Sequence, residues 1–230
     1  MSQNNNSEYL PHIDGLRAVA VILVVLFHIE KHIFSLGYLG VDIFFVISGF
    51  VITKQITQQF YKKEFSFLSF YRRRFKRIYP ALLLVILITG TFYVYYGLHY
   101  NFTDFNLHLK TALYSLFGFS NIYLAYKSRD YFFDTDTNPF IHTWSLGVEE
   151  QFYVIWPIIL ISLLYIFRKN LERNNKKIFL FIIFIIIINI IFSLTEHKYS
   201  NLSNQFFSPT YRFWELALGS SLRQDYIYIS

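Results

Sequence analysis

Ionisable side chains lie inside apolar runs long enough to cross a bilayer, and this conflict restricts what the 230-residue chain can fold into. One such stretch runs from Asp14-Gly15-Leu16-Arg17 through an apolar segment to His28, then from Gly40-Val41-Asp42 to Phe50. The other is His142-Thr143-Trp144-Ser145-Leu146-Gly147-Val148-Glu149-Glu150-Gln151-Phe152-Tyr153. A charge in hydrocarbon is costly unless it is paired or faces a wet cavity, so each of these residues marks a candidate functional position. The fold class that follows is all-α: a polytopic transmembrane helix bundle with a polar interior.

Composition agrees. Hydrophobic residues make up 54% and charged residues 16%, below the roughly 25% charged of a soluble domain. The net charge of +6 belongs to one region. Residues 53–77 hold Lys54, Lys62, Lys63, Arg72, Arg73, Arg74, Lys76 and Arg77 against Glu64, a local +7 that leaves −1 for the rest. A basic segment between apolar spans reads as a cytoplasmic, membrane-facing surface, and no nucleic-acid partner is expected. Cysteine is absent, which excludes disulfides and thiolate metal sites. No metal motif, Walker A sequence or Gly-x-Gly-x-x-Gly is present. No Lys or Arg precedes residue 14, where the first span is placed, so that run reads as a retained span rather than a cleavable signal.

With about 20 apolar residues needed per crossing, spans are predicted near 14–33, 39–56, 78–98, 146–167 and 178–195, with a more polar sixth near 206–222. Both basic loops, 53–77 and 168–177, should face the cytoplasm. An even number of crossings must then separate them, so 107–125 is predicted to be re-entrant or interfacial on the outer side. The N-terminus is placed inside, and residues 126–140, with Asp130, Asp134 and Asp136, read as an ordered outer loop. A kink is expected at Pro157, which a membrane bundle tolerates.

Spacing groups the polar residues. Arg17 and His28 are eleven residues apart, so they share a helix face about 16 Å apart along the axis. His28 and Asp42 are each seven residues from Ser35, the centre of the first hairpin turn, and should lie at one depth. A carboxylate there would orient the imidazole and raise its basicity. Glu149 and Glu150 enter at a similar depth but point about 100° apart, so one of them is expected to face the site. Arg74 and Arg77 share a helix face, joined by Arg73, and form a fork suited to phosphate. Plainer roles stay open for each: a packed histidine at 28, a helix cap at Asp42, an interfacial glutamate pair, and a lipid-contacting arginine cluster.

These blocks, with Tyr71-Arg72-Arg73-Arg74-Phe75-Lys76-Arg77-Ile78-Tyr79-Pro80 and Phe207-Ser208-Pro209-Thr210-Tyr211-Arg212-Phe213-Trp214-Glu215-Leu216-Ala217-Leu218-Gly219, resemble the membrane acyltransferase 3 family, bacterial integral-membrane O-acyltransferases. Gly147 stands where many members have serine. The resemblance implies a multi-pass protein of the bacterial inner (plasma) membrane, with no permanently bound cofactor. The implied co-substrate is acyl-CoA, usually acetyl-CoA, on the cytoplasmic side, and the implied acceptor is a carbohydrate hydroxyl of the cell envelope or an exported glycan. It implies His28 as the essential residue; on the spacing above, Asp42 or one of Glu149 and Glu150 would be its catalytic partner, with His28 acting as general base or as transient acyl carrier. Arg17, Arg74 and Arg77 would bind CoA, and His142, Trp144 and Glu215 the acceptor. Lipopolysaccharide, peptidoglycan and capsule all remain open as acceptors. Family domains carry more spans than this chain, so the resemblance implies that residues 1–230 form a partial domain lacking its C-terminal spans. The possibilities are then a truncated product, an inactive fragment, or half of an enzyme completed by a second chain. A transporter, with the buried charges as an ion relay, is the rival class.

Overall fold

The computed structural model describes residues 10–100, 105–127, 138–167, 171–196 and 202–222. Among these residues the regular structure is α-helix: α1 (Pro11–Ile29), α2 (Leu39–Tyr61), α3 (Phe67–Tyr100), α4 (Phe105–Ser115), α5 (Ser120–Lys127), α6 (Thr143–Ile166), α7 (Leu171–Glu196), α8 (Leu202–Phe207) and α9 (Pro209–Ser221). Five of them, α1, α2, α3, α6 and α7, are long and apolar enough to cross a membrane. The chain is a multi-pass membrane protein with an all-α bundle fold.

Helix limits differ from the hydropathy reading for local reasons. Hydropathy registers the apolar part of a helix and misses its polar extensions. The supposed basic loop 53–77 is therefore mostly helical, because α2 continues to Tyr61 and α3 begins at Phe67. The connection is a tight stop. Lys63 adopts φ 59°, its N–H donates to the Phe60 carbonyl, and the Glu64 N–H reaches back to the Gln59 carbonyl, a Schellman-type ending. No strong breaker lies between Phe67 and Pro80, and α3 absorbs Pro80. Its 34 residues reach about 50 Å, so its basic first turns extend beyond its apolar length.

The 107–125 segment forms two short helices, α4 and α5, neither long enough to span. They are joined by a turn in which Gly118 has φ 69°, and an added Cβ there would strike the Glu150 carboxylate. The sixth predicted span is broken into α8 and α9 at Ser208-Pro209, with Pro209 at the first turn of α9, where its fixed φ suits a helix start. The predicted loop 126–140 lies mostly outside the described residues, as do 168–170 of the second basic loop and 197–201.

The core forms where α9 packs on α2, α6 and α7. Two glycines allow this. A Cβ on Gly49 would land on the Leu216 carbonyl, and one on Gly219 would land on the Val46 carbonyl. The two backbones touch, and the Ser220 hydroxyl donates to the Gly49 carbonyl at 3.2 Å. Close approach through small residues is how helices associate where lipid offers no hydrophobic drive. Gly49→Val is expected to cost about 1–3 kcal/mol or more through overpacking, read as a lowered midpoint in detergent unfolding; an unchanged midpoint would mean α9 is loosely held. Around this contact Phe45 and Trp144 meet edge to face at 5.9 Å, Phe152 stacks on Trp156, and the Trp156 indole N–H donates to Thr53 at 2.8 Å. The outer faces of α1, α3 and α7 expose Val19, Ile22, Leu84, Leu87, Leu180 and Phe184, the surface a bilayer covers.

Candidate active site

His28 occupies the last turn of α1. Its Nδ1 lies 2.7 Å from the carbonyl oxygen of Val24, one turn earlier. A carbonyl only accepts, so Nδ1 carries the proton and Nε2 carries the lone pair. That Nε2 is buried and has no hydrogen-bond partner. The backbone of α1 thus selects the tautomer and leaves one basic nitrogen facing into protein. The Phe27 ring packs edge to face against the imidazole on one side and His142 on the other, with ring centroids 4.6 Å apart.

His142 precedes α6 as its cap residue and keeps an exposed edge. Burial of the rest of its ring, and secondarily the His28 imidazole, push His142 down to about 4. The exposed edge moderates that shift, and its direction is towards the neutral form.

Asp42 does not bond His28. Its Oδ1 accepts from Arg212 Nη1 at 3.1 Å, and the same nitrogen donates to Glu215 Oε1 at 3.1 Å. Arg212 Nε donates to the Phe206 carbonyl at 3.1 Å. The guanidinium also sits over the rings of Phe206 and Trp144, at 4.7 and 5.5 Å. Equal depth in a hairpin fixes height but not azimuth. Asp42 turns towards α9, so the predicted carboxylate–imidazole pair is replaced by a carboxylate–guanidinium pair. Two carboxylates share one cation here, and Glu215 Oε2 is buried without a partner.

The two glutamates diverge, as their 100° offset predicts. Glu149 accepts from the Ser48 hydroxyl at Oε1 and from the Tyr153 hydroxyl at Oε2, both at 2.8 Å. It therefore bonds to α2 and to its own helix rather than to His28. The Tyr153 ring lies under the Arg74 guanidinium at 5.1 Å. Arg74 also donates to Gln55 at 2.9 Å, while Arg73 is drawn to Gln59 at 3.1 Å and leaves the predicted fork. Arg17, Arg77 and Glu149 all lie within electrostatic reach of Arg74, and Arg17 is joined to Asp14 at 3.3 Å. Glu150 faces the other way, beneath Gly118, with Oε1 buried and unpartnered. Beside it, Gln151 donates to the Gly118 carbonyl and to Asn121 Oδ1, each at 2.8 Å, tying the α4–α5 hairpin to α6. Asn121 Oδ1 would lie 2.7 Å from a Cβ at Gly147, so this chain fills with an amide the space a serine would need.

All the candidate residues except Glu150 therefore fall into two groups. His28, His142 and Trp144 gather with the Asp42–Arg212–Glu215 cluster, whereas Arg17, Arg74 and Arg77 gather with Glu149. A cavity of about 780 Å³ opens where α2 ends and α3 begins, lined by Phe60, Tyr61, Lys63, Phe65 and Tyr165 among others. The sequence reading gave no role to Arg212, Ser48, Tyr153 or Gln151. Arg212 was detectable in principle, as a cation three residues from Glu215 in a weakly polar helix.

A family model described as an acyltransferase domain matches residues 10–230. The O-acetyltransferase OatA of Staphylococcus aureus (strain NCTC 8325 / PS 47) is 37% identical over 164 residues, which cover 70% of this chain and 26% of the relative. The putative O-acetyltransferase SACOL0978 of S. aureus (strain COL) is 36% identical over the same shares. The matched region spans about a quarter of the length of these curated relatives. No solved structure gives a significant match. With nearly all its residues inside the family model and its ionisable residues gathered in a helical membrane bundle, the chain belongs to this acyltransferase family.

Proposed function

We propose that the chain takes part in O-acyl transfer, moving an acetyl group from acetyl-CoA on the cytoplasmic side to a carbohydrate hydroxyl on the outer side of the bacterial inner membrane. The observation that carries this reading is the buried, unpartnered Nε2 of His28 in a fixed tautomer. It is a base held ready for a hydroxyl proton. The family match and the relatives' names support the reaction class.

CoA phosphates would meet Arg74 and Arg77, with Arg17 beside them. The ring-lined cavity with Lys63 suits the purine end of the same molecule. His28 takes the proton of the acceptor hydroxyl, whose oxygen attacks the thioester carbon, and the C–S bond breaks with its electron pair leaving on the thiolate. Asp42, Arg212, Glu215 and Trp144 form the polar and aromatic wall on the acceptor side. Other family spans, on this or a second chain, would complete the path.

The test is acetyl-CoA binding and thiol release by the purified chain in proteoliposomes. Arg74→Ala/Arg77→Ala is expected to weaken acetyl-CoA binding by about tenfold or more, two charge-assisted contacts being lost. Binding that does not change would move the CoA site elsewhere. No binding at all by the wild type, together with ion flux across the vesicle, would favour a translocating protein instead.

A further inference from the structure

The α4–α5 hairpin has the polarity of a helix pair in water turned inside out. Its buried face carries His108, Thr111, Ser115, Ser120 and Asn121 beside Ala112, Leu124 and Ala125. Every exposed residue between Lys110 and Lys127 is apolar or aromatic: Leu113, Tyr114, Phe117, Phe119, Ile122 and Tyr126. Phe117 is 66% exposed, whereas Asn121 is fully buried. A surface helix of a soluble protein keeps its apolar stripe inward, and a contiguous apolar patch left outside marks a surface that something else covers.

The polar face docks on α6. The Ser115 and Thr143 hydroxyls bond at 2.6 Å, and the Ser120 hydroxyl donates to the Thr143 carbonyl at 2.9 Å. The tip, at Gly118, lies against Glu150, and its carbonyl accepts from Gln151 at 2.8 Å. Thr143 opens the spanning stretch of α6. Glu150 is seven residues further on, about 10 Å along the axis, so the tip reaches well inside that stretch. Lys110 and Lys127, both exposed, stand eight and nine residues from Gly118, with no charged residue between them.

A turn at membrane depth must satisfy its own backbone, and this one does. The N–H groups of Leu116, Phe117, Gly118 and Phe119 donate to the carbonyls of Leu113, Tyr114, Ser115 and Tyr114. The outward face also continues the apolar outer surface of α3, where Phe92, Tyr95 and Tyr96 are exposed. The two helices meet there through Tyr93, stacked on Phe105 at 5.4 Å. Tyr114, stacked on Tyr123 at 4.6 Å, is the residue type that favours the boundary between lipid and water.

We infer that the α4–α5 hairpin is a re-entrant wedge whose outward face is covered by phospholipid, in the leaflet around the Thr143 end of α6, with Lys110 and Lys127 at the water boundary. Its polar side then screens Glu150 and Gln151 from hydrocarbon, where an unscreened carboxyl in a spanning helix is costly. Lipid contact here is independent of acyl transfer, and its test needs no catalytic activity.

The chain has no cysteine, so single introduced cysteines report their surroundings without background. Phe117→Cys and Ile122→Cys are labelled with an environment-sensitive fluorophore in proteoliposomes and quenched either by phospholipid carrying a nitroxide on its acyl chain or by aqueous iodide. Leu87→Cys, on the exposed side of α3, is the lipid control, and Lys110→Cys is the water control. All four positions are exposed, so the packing is left intact, and wild-type helicity checks this. Labels at 117 and 122 are expected to lose as much emission to the nitroxide lipid as the label at 87, and as little to iodide. The label at 110 should show the reverse order. Iodide quenching at 117 and 122 as strong as at 110 would place the hairpin in water and overturn the inference. Protection from both quenchers would overturn it too, since protein, a second copy or further family spans, would then cover the face. Leu113→Cys, on the same face, supplies the reading if either variant loses helicity.

Discussion

His28→Ala is expected to lower acyl transfer by about 10²–10⁴-fold, the range that a positioned general base contributes, while the chain still folds. The fold should survive because the side chain's hydrogen bond is internal to α1, from Nδ1 to Val24, and its loss costs about 1 kcal/mol. The buried Nε2 has no partner to abandon. Helicity, detergent-unfolding midpoint and acetyl-CoA binding should therefore stay near wild type while thiol release collapses. Retained transfer in His28→Ala would falsify the assignment of the reacting base. A collapse of helicity would instead show that the imidazole is a packing element.

Arg212→Met is expected to produce the largest loss of stability. The guanidinium holds Asp42, Glu215 and the Phe206 carbonyl at once, and it is largely buried beneath Trp144 and Phe206. Removing it leaves two carboxylates beside one another without their cation. Breaking a buried pair from one side costs about 3–5 kcal/mol. Methionine preserves much of the apolar stem, so most of the loss is electrostatic. Arg212→Lys should recover only part, since one ammonium cannot reproduce the planar fork. Adding Asp42→Asn and Glu215→Gln to Arg212→Met should recover a larger part, because the stranded charge is then gone. An unfolding midpoint that ignores Arg212→Met would show that the cluster is solvated and carries little energy.

The contrast between these sites shows what the sequence can reveal. That His28 sits near the end of a spanning helix was legible because the apolar run leading to it is local in sequence. Azimuth was not legible. Which way Asp42 turns depends on Arg212, 170 residues away, and the Ser48–Glu149 bond closes a separation of 101 residues. No periodicity carries information across such gaps. The break between α8 and α9 was closer to hand. Ser208-Pro209 is a helix-start signature, and giving it more weight than the apolar run would have shortened the sixth span. The basic segment was misjudged as a loop because charge sets membrane sidedness whether or not the backbone is coiled. Arginine and lysine are good helix formers, and α3 uses them so.

The Val24 carbonyl sets the active nitrogen of His28, and a carbonyl has no proton to gain or lose. In enzymes where an acid orients the imidazole, acidification removes the orienting group along with the base. Here the alignment depends on backbone geometry alone. What does endanger the alignment is mechanical: uncoiling the final turn of α1, next to the 30–38 bend, would release Nδ1 and let the ring choose its tautomer freely.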